Sequence, residues 1–140
     1  MKVLVTGGGG FLGKRIIHFL LKGGFEVINF SRQNYPELEA LGVTSISGNL
    51  YNKAAVSSAF KGCDVVFHVA AKVGLHGAYQ DFYDTNVLGT KNIVESCLSH
   101  GIKKLIFTRL KKKIYQKRVT SVFVDIELDK NKLKKIKSFQ

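Results

Sequence analysis

The chain has 140 residues, 45% hydrophobic and 11% aromatic, with a formal charge of +12. That is enough for one domain with a core of its own, whereas no apolar stretch approaches the roughly 20 residues that span a bilayer. The apolar run before the first glycines is too short for a secretory leader.

The charge divides unevenly. Residues 1–108 hold 11 Lys/Arg and 7 Asp/Glu, giving +4, and residues 109–140 hold 11 and 3, giving +8. All 14 glycines and every alanine precede Thr108. The composition therefore points to a domain over 1–108 and a lysine-rich tail over 109–140, not to a specific nucleic-acid binder, since charge alone attracts phosphates without choosing among them. Cys63 and Cys97 lack metal-ligand spacing and read as small buried residues of a cytoplasmic protein.

In chain order, Lys2–Thr6 reads as a short buried strand. Phe11–Lys22 carries a broad apolar face at helical spacing, and Gly23 and Gly24 stop it. Residues 26–30 form a second strand. Pro36 suits the first turn of a short helix that Gly42 ends, and residues 43–47 give a third strand. Asn52 is placed to cap a helix running through Phe60. Residues 64–70, DVVFHVA, read as a buried strand, residues 82–98 as a long helix stopped near Gly101, and residues 104–108 as a fifth strand.

Strands alternating with helices across short connections predict an α/β fold, a parallel sheet covered on both faces. Right-handed crossovers favour a doubly wound, Rossmann-like order 3-2-1-4-5. The segments TGGGGFLG and HVAA then lie at the C-terminal ends of the neighbouring first and fourth strands, facing one crevice.

The glycine run fits two spacings, Gly8-Gly10-Gly13 and Gly7-Gly10-Gly13. Both serve a tight turn, a backbone bare enough to approach a pyrophosphate, and close helix–sheet packing. The helix N-terminus adds free N–H groups, those of Phe11 and Leu12 above all. The second strand ends Phe30-Ser31-Arg32, without the acid that grips a ribose 2′-hydroxyl in NAD sites. Arg32 there suits a 2′-phosphate, so NADP is preferred to NAD, unless Arg32 is only a solvated loop residue.

Taken together, TGGGGFLG, GNL (48–50), HVAA, NVLGTKN (86–92) and KKLIFT (103–108) resemble the extended short-chain dehydrogenase/reductases of the NAD-dependent epimerase/dehydratase superfamily, in their order and spacing. FSRQNYPEL, AFKGCDVVFHVAAKVG and DFYDTNVLGTKNIVESC resemble its 3β-hydroxysteroid dehydrogenase-like branch and are similar to bacterial reductases of 2-alkyl-3-oxoalkanoates, which use NADPH. The resemblance covers the N-terminal portion only. It implies a cofactor cradle at Gly7, Gly10 and Gly13, an adenosine ribose near Ser31 and Arg32, and an adenine near Asn49 and Leu50. The nicotinamide would lie beside Ala70 and Ala71. Asn86 would be the family's helix asparagine, structural or part of a water relay, or else a plain solvent-facing residue. His68 reads as a packed or hydrogen-bonded core residue and not a catalyst; His18, His76 and His100 read as surface or loop residues.

The resemblance also implies a reaction: hydride passes to a ketone carbon while a tyrosine donates a proton, a lysine four residues on lowers that tyrosine's pKa, and a serine after the fifth strand binds the substrate oxygen. Here Thr108 is followed by Arg109 and Leu110. The residues four beyond the five tyrosines are Glu39, Ala55, Tyr83, Val87 and Val119, so no Tyr-x-x-x-Lys exists. No catalytic and no metal-binding residue is assigned, and the expectation is a chain without turnover of its own, or alternatively a non-catalytic nucleotide sensor or interaction module. The tail reads as a frameshifted or truncated end, as a divergent binding segment, or as a basic arm for anionic partners. Its middle alternates Val122, Val124, Ile126 and Leu128 as a strand does. The outer edge of the fifth strand is expected to be uncovered and to favour self-association unless the tail pairs there.

Overall fold

The computed structural model describes residues 1–74, 76–112 and 119–127. Its strands are β1 (Lys2–Thr6), β2 (Glu26–Ser31), β3 (Thr44–Ser47), β4 (Val65–His68), β5 (Lys104–Lys112) and β6 (Val119–Glu127). Its helices are α1 (Phe11–Lys22), α2 (Pro36–Glu39), α3 (Lys53–Ala59), α4 (Tyr79–Tyr83) and α5 (Gly89–Ser99), with a π-turn over Asp84–Leu88 joining the last two. The sheet order is β3-β2-β1-β4-β5-β6, the first five parallel as the alternation predicts.

Each strand of the sheet's centre is apolar on both faces, because helices cover both. In β1, Val3 and Val5 pack with Ile16 and Ile17 of α1 and with Leu38 of α2. Leu4, between them, faces the other layer, with Val56 and Phe60 of the α3 region and Ile93 and Cys97 of α5. Cys63 and Cys97 are free, buried thiols. Burial lifts both, the Cys97 thiol to about 12, so neither is a thiolate at neutral pH.

Local signals set most boundaries. The Asn52 side chain accepts the Ala55 amide at 3.1 Å and starts α3. α1 ends as its glycines predict: Gly24 takes a positive φ of 76°, while its amide reaches Leu21 O and the Phe25 amide reaches Leu20 O, closing the last turn.

Three boundaries differ from the sequence expectation by more than one residue. β4 stops at His68 and not at Ala70, because the next two amides, of Val69 and Ala70, both donate to the Thr6 hydroxyl at 3.2 Å. The long helix begins at Tyr79, earlier than Phe82, and widens at Asp84–Leu88, where the Gly89 amide donates five residues back to Asp84 O. Third, β5 continues past Thr108 to Lys112, and β6 pairs with it antiparallel along its whole length, from Lys104↔Glu127 to Lys112↔Val119. The edge expected to be uncovered at the fifth strand is therefore occupied, and the sheet's outer strands are β3 and β6. The tail alternation thus becomes a strand, except for Leu128, which with the lysine-rich flanks 113–118 and 128–140 lies outside the described residues. No described helix is long and apolar enough to cross a membrane.

Candidate functional site: a cleft at the switch point of the sheet

Between the C-terminal ends of β1 and β4, where the strand order reverses direction, lies a cleft of about 740 Å³. Every site residue named from the sequence lines it: Gly7, Gly10, Phe11, Leu12 and Gly13 on one wall, Ser31, Arg32, Asn49 and Leu50 at one end, and Ala70, Ala71 and Asn86 toward the other. Tyr35, Lys72, Thr85, Thr90, Phe107 and Thr108 are among the other residues that line it.

The glycine run resolves its own register. Gly7 turns the chain with φ of 73°, and a Cβ there would stand 2.8 Å from the Ala70 backbone. Gly8 and Gly9 are shut in by Asn29 and by the Tyr35 ring. At Gly13 a Cβ would run into Gly7 O and lie 2.8 Å from Gly8 Cα, so glycine there lets α1 pack on the loop. Gly10 is different: a Cβ would meet only Gly7 O, at an ordinary 3.5 Å. Backbone and buried side chains thus explain glycine at 7, 8 and 13, only the movable Tyr35 ring closes over 9, and no packing requires glycine at 10, which opens onto the cleft. Spacing 7-10-13 describes the turn.

Gly10 caps α1 without any side-chain bond. The first-turn amides of Phe11, Leu12 and Gly13 have no carbonyl one turn back to receive them. With the helix dipole, they are donors that could hold anionic oxygens.

The loop is tied to β2 by buried polar groups. The Gly7 amide donates to Phe30 O at 3.1 Å. The Gly8 amide donates to Asn29 Oδ1 at 3.0 Å, Asn29 Nδ2 donates to Ser31 Oγ at 3.0 Å, and Ser31 Oγ donates to Gln33 O at 2.7 Å. Arg32 is exposed and forms no ion pair among the described residues. Lys14 is committed elsewhere, to Glu37 at 2.9 Å and over the Tyr35 ring, and its hydrogen bond holds the Glu37 carboxyl below its ordinary range.

The floor of the cleft is a fully satisfied network around His68, which is 1% exposed. Thr6 Oγ1 already accepts two amides, so its proton goes to His68 Nδ1, 2.8 Å away. Thr90 gives its proton to Asn86 O at 2.7 Å, so it must accept from His68 Nε2–H at 3.1 Å. Both ends dictate the same neutral tautomer. Burial agrees, pushing the imidazole down to about 4, and Phe107 stacks on the ring at 5.2 Å. His68 is a hydrogen-bonded core residue, as the sequence indicated. His18, His76 and His100 are exposed.

Asn86 is not a plain surface residue. Its Oδ1 accepts the Lys72 amide at 2.8 Å and its Nδ2 donates to Lys72 O at 2.9 Å, clamping the segment after β4. Leu50 is held likewise, its carbonyl accepting from Asn92 Nδ2 at 2.9 Å. Sequence reasoning missed Asn29, Thr6, Thr90 and Tyr35. Only Asn29 carried a visible signal, an amide inside an otherwise apolar strand. No group of metal-binding side chains exists among the described residues.

A doubly wound sheet with a bare glycine turn at its switch point defines the class of nucleotide-fold α/β proteins. The sequence matches the 3-beta hydroxysteroid dehydrogenase/isomerase family over residues 4–133. The chain belongs to that family, within the short-chain dehydrogenase/reductases. It is 46% identical over 108 residues to a 2-alkyl-3-oxoalkanoate reductase of Stenotrophomonas maltophilia, a match covering 77% of this chain and 33% of the relative. It is similar to the UDP-glucose 4-epimerase of Thermus thermophilus in complex with NAD, at 34% identity and TM-score 0.67, over 75% of this chain and 36% of that one. The Thermotoga maritima UDP-glucose 4-epimerase superposes over 86% of this chain and 41% of its own, with TM-score 0.73 and 25% identity. The chain thus spans about one third of the curated relatives it matches.

Proposed function

We propose that the cleft binds a nicotinamide dinucleotide, NADP(H) in preference to NAD(H), as the cofactor-binding part of an oxidoreductase acting on a hydroxyl/ketone pair. The observation that carries this is Gly10, whose missing side chain the protein's own packing does not require and an approaching pyrophosphate does. In this reading the Phe11 and Leu12 amides take the pyrophosphate, Ser31 and Arg32 meet the adenosine ribose, and Asn49 and Leu50 border the adenine. Ala70 and Ala71 flank the nicotinamide. Arg32, with no acid paired to it among the described residues, favours the 2′-phosphate. When bound, the cofactor supplies hydride chemistry to a carbonyl carbon.

The similarity to a 2-alkyl-3-oxoalkanoate reductase supports 3-oxoacyl compounds as the substrate class. The 140 residues contain neither Tyr-x-x-x-Lys nor a serine directly after Thr108, so the chain alone binds cofactor without turning substrate over. The same observation favours a second reading, a nucleotide sensor or interaction module that never catalyses. We place the domain at residues 1–108, with 109–140 contributing the end of β5 and all of β6 and otherwise reading as a frameshifted end; buried free thiols support a cytoplasmic setting.

NADPH fluorescence titration of the purified chain, followed by a panel of 3-oxo substrates, tests this. Binding without substrate-dependent oxidation of NADPH is expected. No binding overturns the cofactor reading, and a rate abolished by Gly10→Ala overturns the claim of inactivity. A downstream DNA frame encoding the serine and a Tyr-x-x-x-Lys would support the frameshift; none in any frame would refute it.

A further inference from the structure

Only one ring stands where a side chain at Gly9 would go. The φ of Gly9 is not positive, so its backbone does not call for glycine. The three atoms nearest to a Cβ built there, all inside contact distance, are Cζ, Cε1 and Cε2 of Tyr35. The ring therefore rests its hydroxyl-bearing edge on the Gly9 α-carbon, and both residues line the cleft. Three further contacts hold the ring in place. The Tyr35 carbonyl accepts the amides of Leu38 at 2.9 Å and Glu39 at 3.2 Å, so its backbone is fixed by the first turn of α2. The side chain packs against the core layer that contains Ile17 and Leu38. Lys14 of α1 lies over the ring, 5.8 Å from its centre, and is itself held by Glu37 at 2.9 Å. The glycine loop, α1 and α2 thus meet at one side chain.

We propose that Tyr35 is a positioning residue for the dinucleotide: its ring, seated on Gly9, holds the tip of the glycine loop at a set distance from the turn over residues 31–33. This rests on the dinucleotide reading above and deepens it. In that reading one ligand reaches both places, with its pyrophosphate on the loop and its adenosine ribose at the turn. A spacing set before the ligand arrives spares the ordering that binding otherwise costs. Asn29 ties the base of the loop at Gly8; the ring seats its tip at Gly9, next to the bare Gly10. Pyrophosphate and ribose are common to NADPH and NADH, so the seat serves both alike and is separate from any choice between them.

The test measures dissociation constants of NADPH and NADH for the full chain, for Gly9→Ala, Tyr35→Ala and Tyr35→Phe, and for Gly9→Ala with Tyr35→Ala, well below every melting temperature. Gly9→Ala pushes the ring off its seat and Tyr35→Ala removes it, so each is expected to weaken both cofactors by about 5-fold. With the ring gone, a Cβ at position 9 has nothing to displace. The double variant is therefore expected to bind about 5-fold more weakly than wild type, not the roughly 25-fold of independent effects. Tyr35→Phe keeps the ring and is expected to restore binding to within about 2-fold of wild type. A ring that only supports the fold would lower melting temperatures and leave these affinities unmoved, and that result overturns the assignment. So do effects that multiply in the double variant, a Tyr35→Phe chain as weak as Tyr35→Ala, or a loss confined to one cofactor. Tyr35→Leu, too short to reach Gly9, runs the same cycle where Tyr35→Ala fails to fold. In all of these cases a wild-type chain that binds leaves the dinucleotide reading intact; a wild-type chain that binds neither cofactor overturns that reading, and the assignment with it.

Discussion

Thr6 Oγ1 stands 2.8 Å from His68 Nδ1 and, from its other side, accepts the amides of Val69 and Ala70. One hydroxyl thereby ends β4, turns the chain that follows toward the Gly7 loop, and holds His68 in the tautomer that reaches Thr90. The ends of β1 and β4 and the start of α5 are joined beneath the cleft by groups that are uncharged.

That network makes stability depend on pH in a definite direction. Burial lowers the His68 pKa from 6.5 to about 4 in the folded chain. Between those values the unfolded chain binds the proton and the folded chain does not. Stability is therefore complete above about pH 6.5 and falls as pH drops toward 4, by up to about 3 kcal/mol. Urea melts from pH 7 to pH 5 should show this decline, and His68→Gln should flatten it. A wild-type curve as flat as the variant's would mean that His68 is charged or exposed.

Asn86 holds both polar groups of the Lys72 backbone. Asn86→Leu leaves them unpaired at a partly buried position and is expected to cost about 1–3 kcal/mol. Amide exchange should accelerate at Lys72 more than in the central strands. Unchanged exchange there would place the segment's support elsewhere.

Ser45 Oγ is buried without a hydrogen-bond partner among the described residues. It stands opposite Asn29 in the β2–β3 register. Removing an unsatisfied hydroxyl relieves its desolvation, so Ser45→Ala is expected to raise stability by about 0.5–1 kcal/mol. A loss of that size in thermal or urea melts would show a partner that the wild-type chain supplies.

β1 and β3 were legible because each short segment runs into a glycine, Gly7 or Gly48, and β2 and β4 from their apolar, β-branched runs between turn residues. α1 was legible from its face of Ile16 and Ile17 and its Gly24 stop. The lining of the cleft was legible because it follows from topology: strand ends at a switch point must face it. What stayed hidden depends on which partner a polar group finds in three dimensions. Nothing local in HVAA says that the Thr6 hydroxyl, 63 residues earlier, captures the Val69 amide. The π-turn at Asp84–Leu88 leaves no periodic trace in so short a stretch. Asn29 and Gly8, 21 residues apart, show their link only once β1 and β2 lie side by side.

The cofactor claim is met most directly by NADPH titration of the wild-type chain beside Gly10→Ala and Gly13→Ala, with melting temperatures recorded for all three. Gly13→Ala is expected to melt lower, because its Cβ would strike the Gly7–Gly8 backbone. Gly10→Ala is expected to melt with the wild type, since its Cβ meets nothing closer than 3.5 Å, and to bind NADPH at least about 10-fold more weakly, the loss of a pyrophosphate's close approach. Gly10→Ala binding NADPH as tightly as the wild type, or a wild-type chain that does not bind it, would contradict the assignment of this cleft to a dinucleotide.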